Sequence, residues 1–448
     1  MFRLSELSQW LSMPSPDHDL ECSGISIDSR TCSPGKLFIA INGQRVDGHD
    51  YVKEAQDKGA VALCVSRLVK SDLPQFVVPN TTKALISLAR AYRQTWTKRV
   101  IGVTGSYGKT STKQMIASCL KAHTPHVSFS PGNWNNLYGL CLSILQVARA
   151  DDYAVLEMGA NQPGDIAILS EIARPDIAVV TGIAAVHTEK LISIEGVKKE
   201  KLSLFDDVSK HRGRCAVNVM DSHIAEWFDK NTPIKAATYG DNIGCDVWFD
   251  KVSCTQKGVM FDLHVQEKVT SVNMLLEGPM AIHNAVAAAA VCSMLGLSIE
   301  TIKSGLNQMK PMQGRFDRVL GPIGSWIYDD SYNANPHALM AAIDYLCSQY
   351  SRVVVVLGDM LELGSDAEQI HCDVGTYLRS KKIHALYVTG SLGLSVIKGF
   401  GGGSLIDSPN EIAAATQSVV RQGDAIYIKG SRASCLERVV KALRQGVC

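Results

Sequence analysis

A lysine followed by a hydroxyl residue and preceded by closely spaced glycines is the combination that holds polyphosphate, and Thr104-Gly-Ser-Tyr-Gly-Lys-Thr110 supplies it. Gly105 and Gly108 let the backbone turn tightly and bring N–H groups close to phosphate oxygens. Lys109 would reach the outer phosphates, and the Thr110 hydroxyl would sit on Mg²⁺. The first position of the G-x-x-x-x-G-K-[ST] pattern is Val103 rather than glycine, so the fit is to T-G-x-x-G-K-T. An accidental Gly-Lys-Thr is the competing explanation. Against it stand the apolar run Val100-Ile101 before the loop and a helix expected at Gln114–Ala122 after it, whose N-terminal dipole favours an anion.

A second chemical residue follows from strand position. Tyr153-Ala-Val-Leu-Glu-Met-Gly159 reads as a buried strand ending in Glu157. A carboxylate at the carboxyl end of a strand, one strand on from a phosphate loop, is where a Mg²⁺ ligand belongs. The strand Ile177–Gly182 is followed by His187 and Glu189, and the helix Ile194–Val208 carries Lys198, Lys199 and Lys201. From the residues alone, a lone histidine is more often structural than a ligand, and such lysines more often form a solvated face.

These residues need a scaffold, and the chain divides into three blocks. Residues 1–80 carry short strands (Leu37–Ile41, Val61–Val65, Gln75–Val78), a helix Val52–Lys58, and loops rich in Ser, Arg, Gly and His suited to a phosphorylated ligand or simply to solvated turns. Residues 81–310 carry the phosphate loop, an amide-rich loop Ser130–Gly139, alternating hairpin strands within Asp246–Val265, and an alanine-rich helix within Gly278–Leu295 that has Asn284 near its start. Residues 311–448 alternate strand and helix, which argues a doubly wound, mostly parallel sheet. Its strand-end loops, Asp329–Asn335, Gly358–Gly364, Gly390-Ser391 and Lys429–Arg432, share one rim, the rim where such sheets bind ligands. The fold class expected is α/β in three domains: a small N-terminal unit, a central P-loop parallel sheet and a C-terminal Rossmann-like unit.

Composition narrows the function further. The 448 residues hold 45 basic and 44 acidic side chains, a net charge of +1, with 46% hydrophobic residues. That balance predicts no general affinity for nucleic acid or an anionic membrane surface. Met1–Leu11 has one arginine and no long apolar core, so no signal peptide is expected, and no run approaches a membrane span. The 13 cysteines form no C-x-x-C pair; buried reduced thiols in a cytoplasmic protein explain them better than disulfides or zinc.

With these residues in place, the chain resembles the Mur ligase family over all three blocks. Thr104–Thr110 fits the family's ATP loop, including Ser106 and Ser111 as ATP contacts. Asp329–Pro336, Leu357–Gly364 and Lys429–Arg432 look like the C-terminal motifs of the member that adds D-alanyl-D-alanine to the UDP-N-acetylmuramoyl tripeptide. Asp28-Ser-Arg30 with Gly43–His49 is similar to the UDP-sugar unit, which assigns substrate contacts to Ser29, Arg30, Arg45, Gly48 and His49. The resemblance implies ATP and two Mg²⁺ ions, with Thr110, Glu157, His187 and a carbamylated Lys201 as metal ligands. It also implies Arg315, Asp330 and Asn284 on ATP, and Asn135, Asn136 and Asn333 toward the peptide substrate. Catalytic roles fall to Lys109, Lys201, His187 and Arg315. A cytoplasmic monomer acting on small molecules is expected. One departure stands out: relatives carry G-x-H-N-x-x-N before the alanine-rich helix, where this chain reads Gly278-Pro-Met-Ala-Ile-His-Asn284. A folylpolyglutamate synthetase-like ligase, a nucleotide-dependent switch protein and a catalytically degenerate ligase are the alternatives. The polar C-terminal loops weigh against the first two, and the presence of Lys109, Glu157, His187 and Lys201 against the third.

Overall fold

The computed structural model describes residues 1–14, 17–43, 45–184, 188–231, 234–255 and 258–445. Short apolar runs bounded by turn residues become strands throughout. β1 (Phe2–Arg3) and β2 (Glu21–Cys22) form an antiparallel pair, and β3 (Gly24–Ser26), β4 (Lys36–Ile39), β5 (Ala62–Val65) and β6 (Gln75–Val77) form a parallel sheet in that order.

The central sheet has nine strands. In chain order they are β7 (Arg99–Thr104), β8 (Val127–Phe129), β9 (Tyr153–Glu157), β10 (Ile177–Val180), β11 (Arg214–Asn218), β12 (Ala236–Gly240), β13 (Val247–Thr255), β14 (Gly258–Val265) and β15 (Lys268–Met274). Their spatial order is β15-β14-β13-β12-β11-β10-β7-β9-β8. The chain leaves β7 toward β9 and β8, then returns to its other side at β10. The phosphate loop therefore leaves the sheet at a topological switch point, where α/β sheets open a crevice.

Alternation along β7 sets its two faces. Val100 joins a cluster with Leu156 and Val180 under the helices Thr81–Thr95 and Ile194–Lys210. Ile101 and Val103 join the opposite cluster, under Lys109–Lys121 and Ala281–Met294. A strand covered on both faces needs apolar residues on both. The first cluster also contains Leu4, Leu37 and Cys64, so the N-terminal unit packs onto the same core.

The C-terminal sheet has β16 (Asp317–Leu320), β17 (Trp326–Asp330), β18 (Val353–Leu357), β19 (Ala385–Val388), β20 (Ser404–Leu405) and β21 (Ala425–Lys429), in the order β16-β17-β21-β18-β19-β20. Val353 and Val355 face one core cluster, Val354 and Val356 the other. Glu277 ties this unit to the central one: its carboxylate lies 2.8 Å from the Arg318 guanidinium and accepts a 2.9 Å hydrogen bond from Tyr328.

Several elements differ from expectation. The phosphate-loop helix begins at Lys109 rather than Gln114. Thr110, Ser111 and Thr112 are weak helix formers, but burial of Thr110, Thr112 and Lys113 overrides that preference. The hairpin gains a third strand, β15, which pairs antiparallel with β14. The helix Gly393–Phe400 was hidden by its glycines, yet these are what let it pack: a Cβ at Gly399 would strike the Cys372 backbone of the helix Ala367–Ser380. Among the described residues the cysteines are free thiols, and no helix is long and apolar enough to cross a membrane.

Candidate active site

The strand ends of two sheets meet around one cavity of about 570 Å³. The central unit contributes Ser106 to Ser111, Asn135, Glu157 and Asn284; the C-terminal unit contributes Arg315, Asp330, Asn333, Glu362 and Lys429. Residues separated by more than 200 positions in the chain thus line one space. The aromatic ring of Tyr107, within the phosphate loop, stacks on His337 with centroids 5.0 Å apart, so the C-terminal unit rests directly on the loop.

The loop is clamped from behind. Ser106 N–H donates to the Gly182 carbonyl at 2.8 Å, and the Ser106 hydroxyl accepts from Ala184 N–H at 3.0 Å. The Thr104 hydroxyl donates to the Met158 carbonyl at 2.7 Å. Gly108 has φ +75°, and a Cβ there would strike Asn284 Oδ1. That same oxygen accepts from Thr112 at 3.2 Å. Asn284 therefore braces the loop as well as lining the cavity, and this bracing follows directly from packing the alanine-rich helix on the phosphate-loop helix. His283, one residue earlier, packs instead against Phe249 at 5.8 Å.

Lys109 Nζ donates to the Gly105 carbonyl at 2.8 Å, curling over its own loop. Burial pushes its ammonium below the ordinary lysine value; Glu157 and Glu362 oppose this, and Arg315 adds to it. Arg315 lies over the ring of Tyr332, 4.2 Å from its centroid, which fixes the guanidinium plane at the cavity wall. Asp330 is held by Lys429 at 2.5 Å and Tyr427 at 2.9 Å.

Glu157 is 1% exposed, and its surroundings explain why it can stay charged. Burial pushes its carboxyl up. Lys113, then Lys109, then hydrogen bonds from Asn135 and Thr110 outweigh that and leave it below the usual range. Asn135 Nδ2 donates to Oε1 at 2.8 Å. Lys113 Nζ stands 3.3 Å from Oε2 but spends hydrogen bonds on the Ser130 and Gly132 carbonyls, at 2.7 and 3.0 Å. Oε2 thus receives no hydrogen bond despite full burial. A buried carboxylate oxygen with a free lone pair, beside the Thr110 hydroxyl, suits a hard divalent cation that takes its remaining ligands from phosphate and water. Among the described residues no cluster of three His, Cys, Asp or Glu could hold a metal.

Lys113 was not singled out by sequence, because a lysine in a helix normally reads as surface. Its side chain is 0% exposed. Lys113→Met is expected to destabilise the protein by about 3–5 kcal/mol, since it strands a buried carboxylate. The check is the urea midpoint. A second variant, Lys113→Met with Glu157→Met, should recover part of the loss; a single-variant cost under about 1 kcal/mol would show that the pair is not a buried ion pair.

Lys201 sits on the helix Ile194–Lys210, capped by Ser193, which accepts from Gly196 N–H at 3.2 Å. The Lys201 side chain is fully buried, and Nζ has no hydrogen-bond partner. Burial pushes its pKa down to about 7, with Lys109 adding to the effect and Glu200, Asp165 and Glu362 opposing it. The adjacent Glu200 turns its two oxygens elsewhere, accepting from Gly164 N–H and Ile166 N–H, each at 2.7 Å, at the start of the helix Asp165–Ala173. His187 lies outside the described residues.

The substrate residues expected in the N-terminal unit lie elsewhere, and none of them lines this cavity. Ser29 donates to Glu54 at 2.7 Å and Arg30 pairs with Asp28 at 2.7 Å. His49 is buried; its Nε2 accepts from Ser66 N–H at 2.9 Å, so Nδ1 carries the proton and donates to Asp47 at 2.6 Å. Gly48 sits where a Cβ would meet the Ile41 backbone at 2.7 Å. Arg45 is exposed. Asn136 also has a job the sequence did not reveal: its Oδ1 accepts from Gly139 N–H at 2.9 Å and caps the helix Leu137–Leu145.

Comparison with known proteins converges on one group. Residues 21–93 match the Mur ligase family catalytic domain, 103–292 the Mur ligase middle domain, and 314–432 the Mur ligase glutamate ligase domain. The chain is 32% identical, over 99% of both sequences, to UDP-N-acetylmuramoyl-tripeptide–D-alanyl-D-alanine ligase of Escherichia coli K12. It superimposes on a crystal structure of MurF from Acinetobacter baumannii with a TM-score of 0.89 at 28% identity, covering 99% of each chain. MurF ligase from Thermotoga maritima in complex with ADP matches with a TM-score of 0.83 at 29% identity, over 94% of this chain and 97% of that one.

Proposed function

The chain belongs to the Mur ligase family, and from that premise we propose that it joins D-alanyl-D-alanine to the UDP-N-acetylmuramoyl tripeptide at the expense of ATP. The observation that carries this reading is the single cavity shared by the phosphate loop and the C-terminal strand-end loops. ATP on the loop and an acceptor held by the C-terminal unit would meet there. The working division is residues 1–80 for the UDP-sugar, 81–310 for ATP and 311–448 for the incoming dipeptide, in a monomer.

A carboxylate is a poor acyl donor. The tripeptide carboxylate attacks the γ-phosphorus of ATP and becomes an acyl phosphate; the dipeptide amine then attacks the acyl carbon, and phosphate leaves. Lys109 and Arg315 offset the charge that gathers on the transferring phosphoryl group. Glu157 and Thr110 would hold one Mg²⁺, and His187 with a carbamylated Lys201 a second; such ions would supply Lewis-acid stabilisation of phosphoryl oxygens. Asn135 and Lys113 keep Glu157 oriented and ionised. Asp330 is the ribose contact, Asn284 supports the loop next to the adenine side, and Asn333 faces the acceptor. The Tyr107–His337 stack rests the C-terminal unit on the loop, and closure of the two units there would exclude water from the acyl phosphate.

The deciding experiment follows ADP release with ATP and Mg²⁺, adding UDP-muramoyl tripeptide and D-alanyl-D-alanine together and singly. Turnover that needs both, with a product heavier by one dipeptide residue, is expected. ADP release without either substrate would replace the ligase by a nucleotide-driven switch. Turnover with folate and glutamate instead would move the chain to a folylpolyglutamate synthetase-like activity.

A further inference from the structure

A second cavity, of about 720 Å³, opens at the other end of the central sheet from the phosphate loop. Its walls come from the starts of β7, β10 and β11 and from the turns that end the helices Thr81–Thr95, Asp165–Ala173 and Ile194–Lys210. Arg93, Arg99, Arg174, Arg212, Arg214 and Lys235 line it, with Asp176 as the opposing carboxylate. It shares no lining residue with the reaction cavity.

The bland explanation for basic residues here is that three helices end at this face, and cations suit helix C-termini. Arg93 does serve that purpose. Its guanidinium donates to the carbonyls of Ala173 at 2.7 Å, Trp96 at 2.6 Å and Arg174 at 2.9 Å. Asp176 is also committed, accepting from Val100 N–H at 2.8 Å while pairing with Arg99 at 3.2 Å and Arg93 at 3.5 Å. That leaves Arg174, Arg212, Arg214 and Lys235. Among the described residues, their side chains make no ion pair and no hydrogen bond, though the chain as a whole carries a net charge of only +1. Arg174 and Arg212 moreover have φ of 45° and 58° at helix ends, positions where glycine is the unstrained choice.

We propose that this cleft is a second ligand site, for a small molecule bearing two or more linked phosphates. Guanidinium forks match phosphate oxygens two at a time. The cavity volume lies in the range of small-ligand pockets, roughly 300–1,000 Å³. An extended nucleic acid would call for a basic stripe across a face rather than a cleft in a chain of balanced charge.

The probe is inorganic tripolyphosphate, titrated calorimetrically into full-length Lys109→Ala protein, whose phosphate loop is disabled. One saturable site is expected, weakening as salt rises from about 50 to 200 mM. The Arg174→Glu, Arg212→Glu pair should reduce affinity at least about tenfold. Both side chains are exposed, so the fold should survive; Arg214→Ala with Lys235→Ala gives the same test through different residues. Absence of saturable binding, or binding that neither pair alters, overturns the proposal. So does a single-stranded oligonucleotide that binds at these arginines while tripolyphosphate does not, which would make the cleft a nucleic-acid contact instead.

Discussion

Lys109→Ala is expected to lower turnover by on the order of a thousandfold while leaving the protein folded. The size follows from the position of the charge. A cation aimed at a phosphoryl group acts where charge gathers in the transition state, and removing one such preorganised group costs about 10²–10³ in rate. The stability side follows from the partners. Lys109 makes its hydrogen bond to Gly105 of its own loop, and Glu157 keeps Lys113 and Asn135 when Lys109 is gone. The thermal midpoint should therefore stay within a few degrees, and the loss should appear in kcat. Activity within a few-fold of the parent would show that the loop does not hold the transferring phosphate.

Much of this arrangement could be read from the residues in order. Val353 to Leu357 and Ile177 to Val180 announce buried parallel strands because each is a short apolar run. The phosphate loop is legible because its chemistry is local: two glycines, a lysine and a threonine within seven residues. What stayed hidden depends on partners far away in the chain. Lys113 looks like a surface lysine until Glu157 and the Ser130 carbonyl arrive beside it. Asn136 looks like a ligand amide until the helix it caps is seen. Glu362 emerges only because a C-terminal loop reaches the cavity that holds Lys109. In the N-terminal unit, Asp28, Ser29, Asp47 and His49 have the residue types of a binding loop, yet the partners they find are each other's neighbours. Side-chain type alone does not separate a polar group kept for a ligand from one used to close a turn.

The Met280-Ala281 departure can be weighed in the same terms. Asn284, which remains, bonds Thr112 and abuts Gly108, so the brace on the phosphate loop does not need the missing side chains. Their loss falls on the cavity wall, where Met280 and Ala281 present apolar surface instead of an imidazole and an amide. The ligase chemistry proposed here uses Lys109, Glu157 and Lys201, and neither Met280 nor Ala281 is among the groups that bond or shift them.

Lys201→Ala is expected to abolish most activity, and short carboxylic acids added to the assay should restore part of it. The buried Nζ has no hydrogen-bond partner, and an ammonium left that way is costly. Its pKa, pushed down to about 7 by burial, leaves a substantial neutral fraction at neutral pH, and the neutral amine is the form that adds CO₂. Carbamylation would replace the orphaned ammonium by a carbamate anion, turning the repulsion from Lys109 into attraction. An unmodified Lys201 predicts something different. Its folded pKa lies below its unfolded value of about 10.4, so the unfolded chain binds the extra proton, and stability rises from pH 7 toward 10 and is least on the acid side. Alanine would then stabilise the protein, most of all near pH 6, and no carboxylic acid would matter. Loss of activity with rescue by acetate, and bicarbonate-dependent activity in the parent, identify the carbamate. Full activity in the alanine variant, or loss without rescue and without bicarbonate dependence, would leave Lys201 as a neutral buried amine and remove the modified lysine from the mechanism.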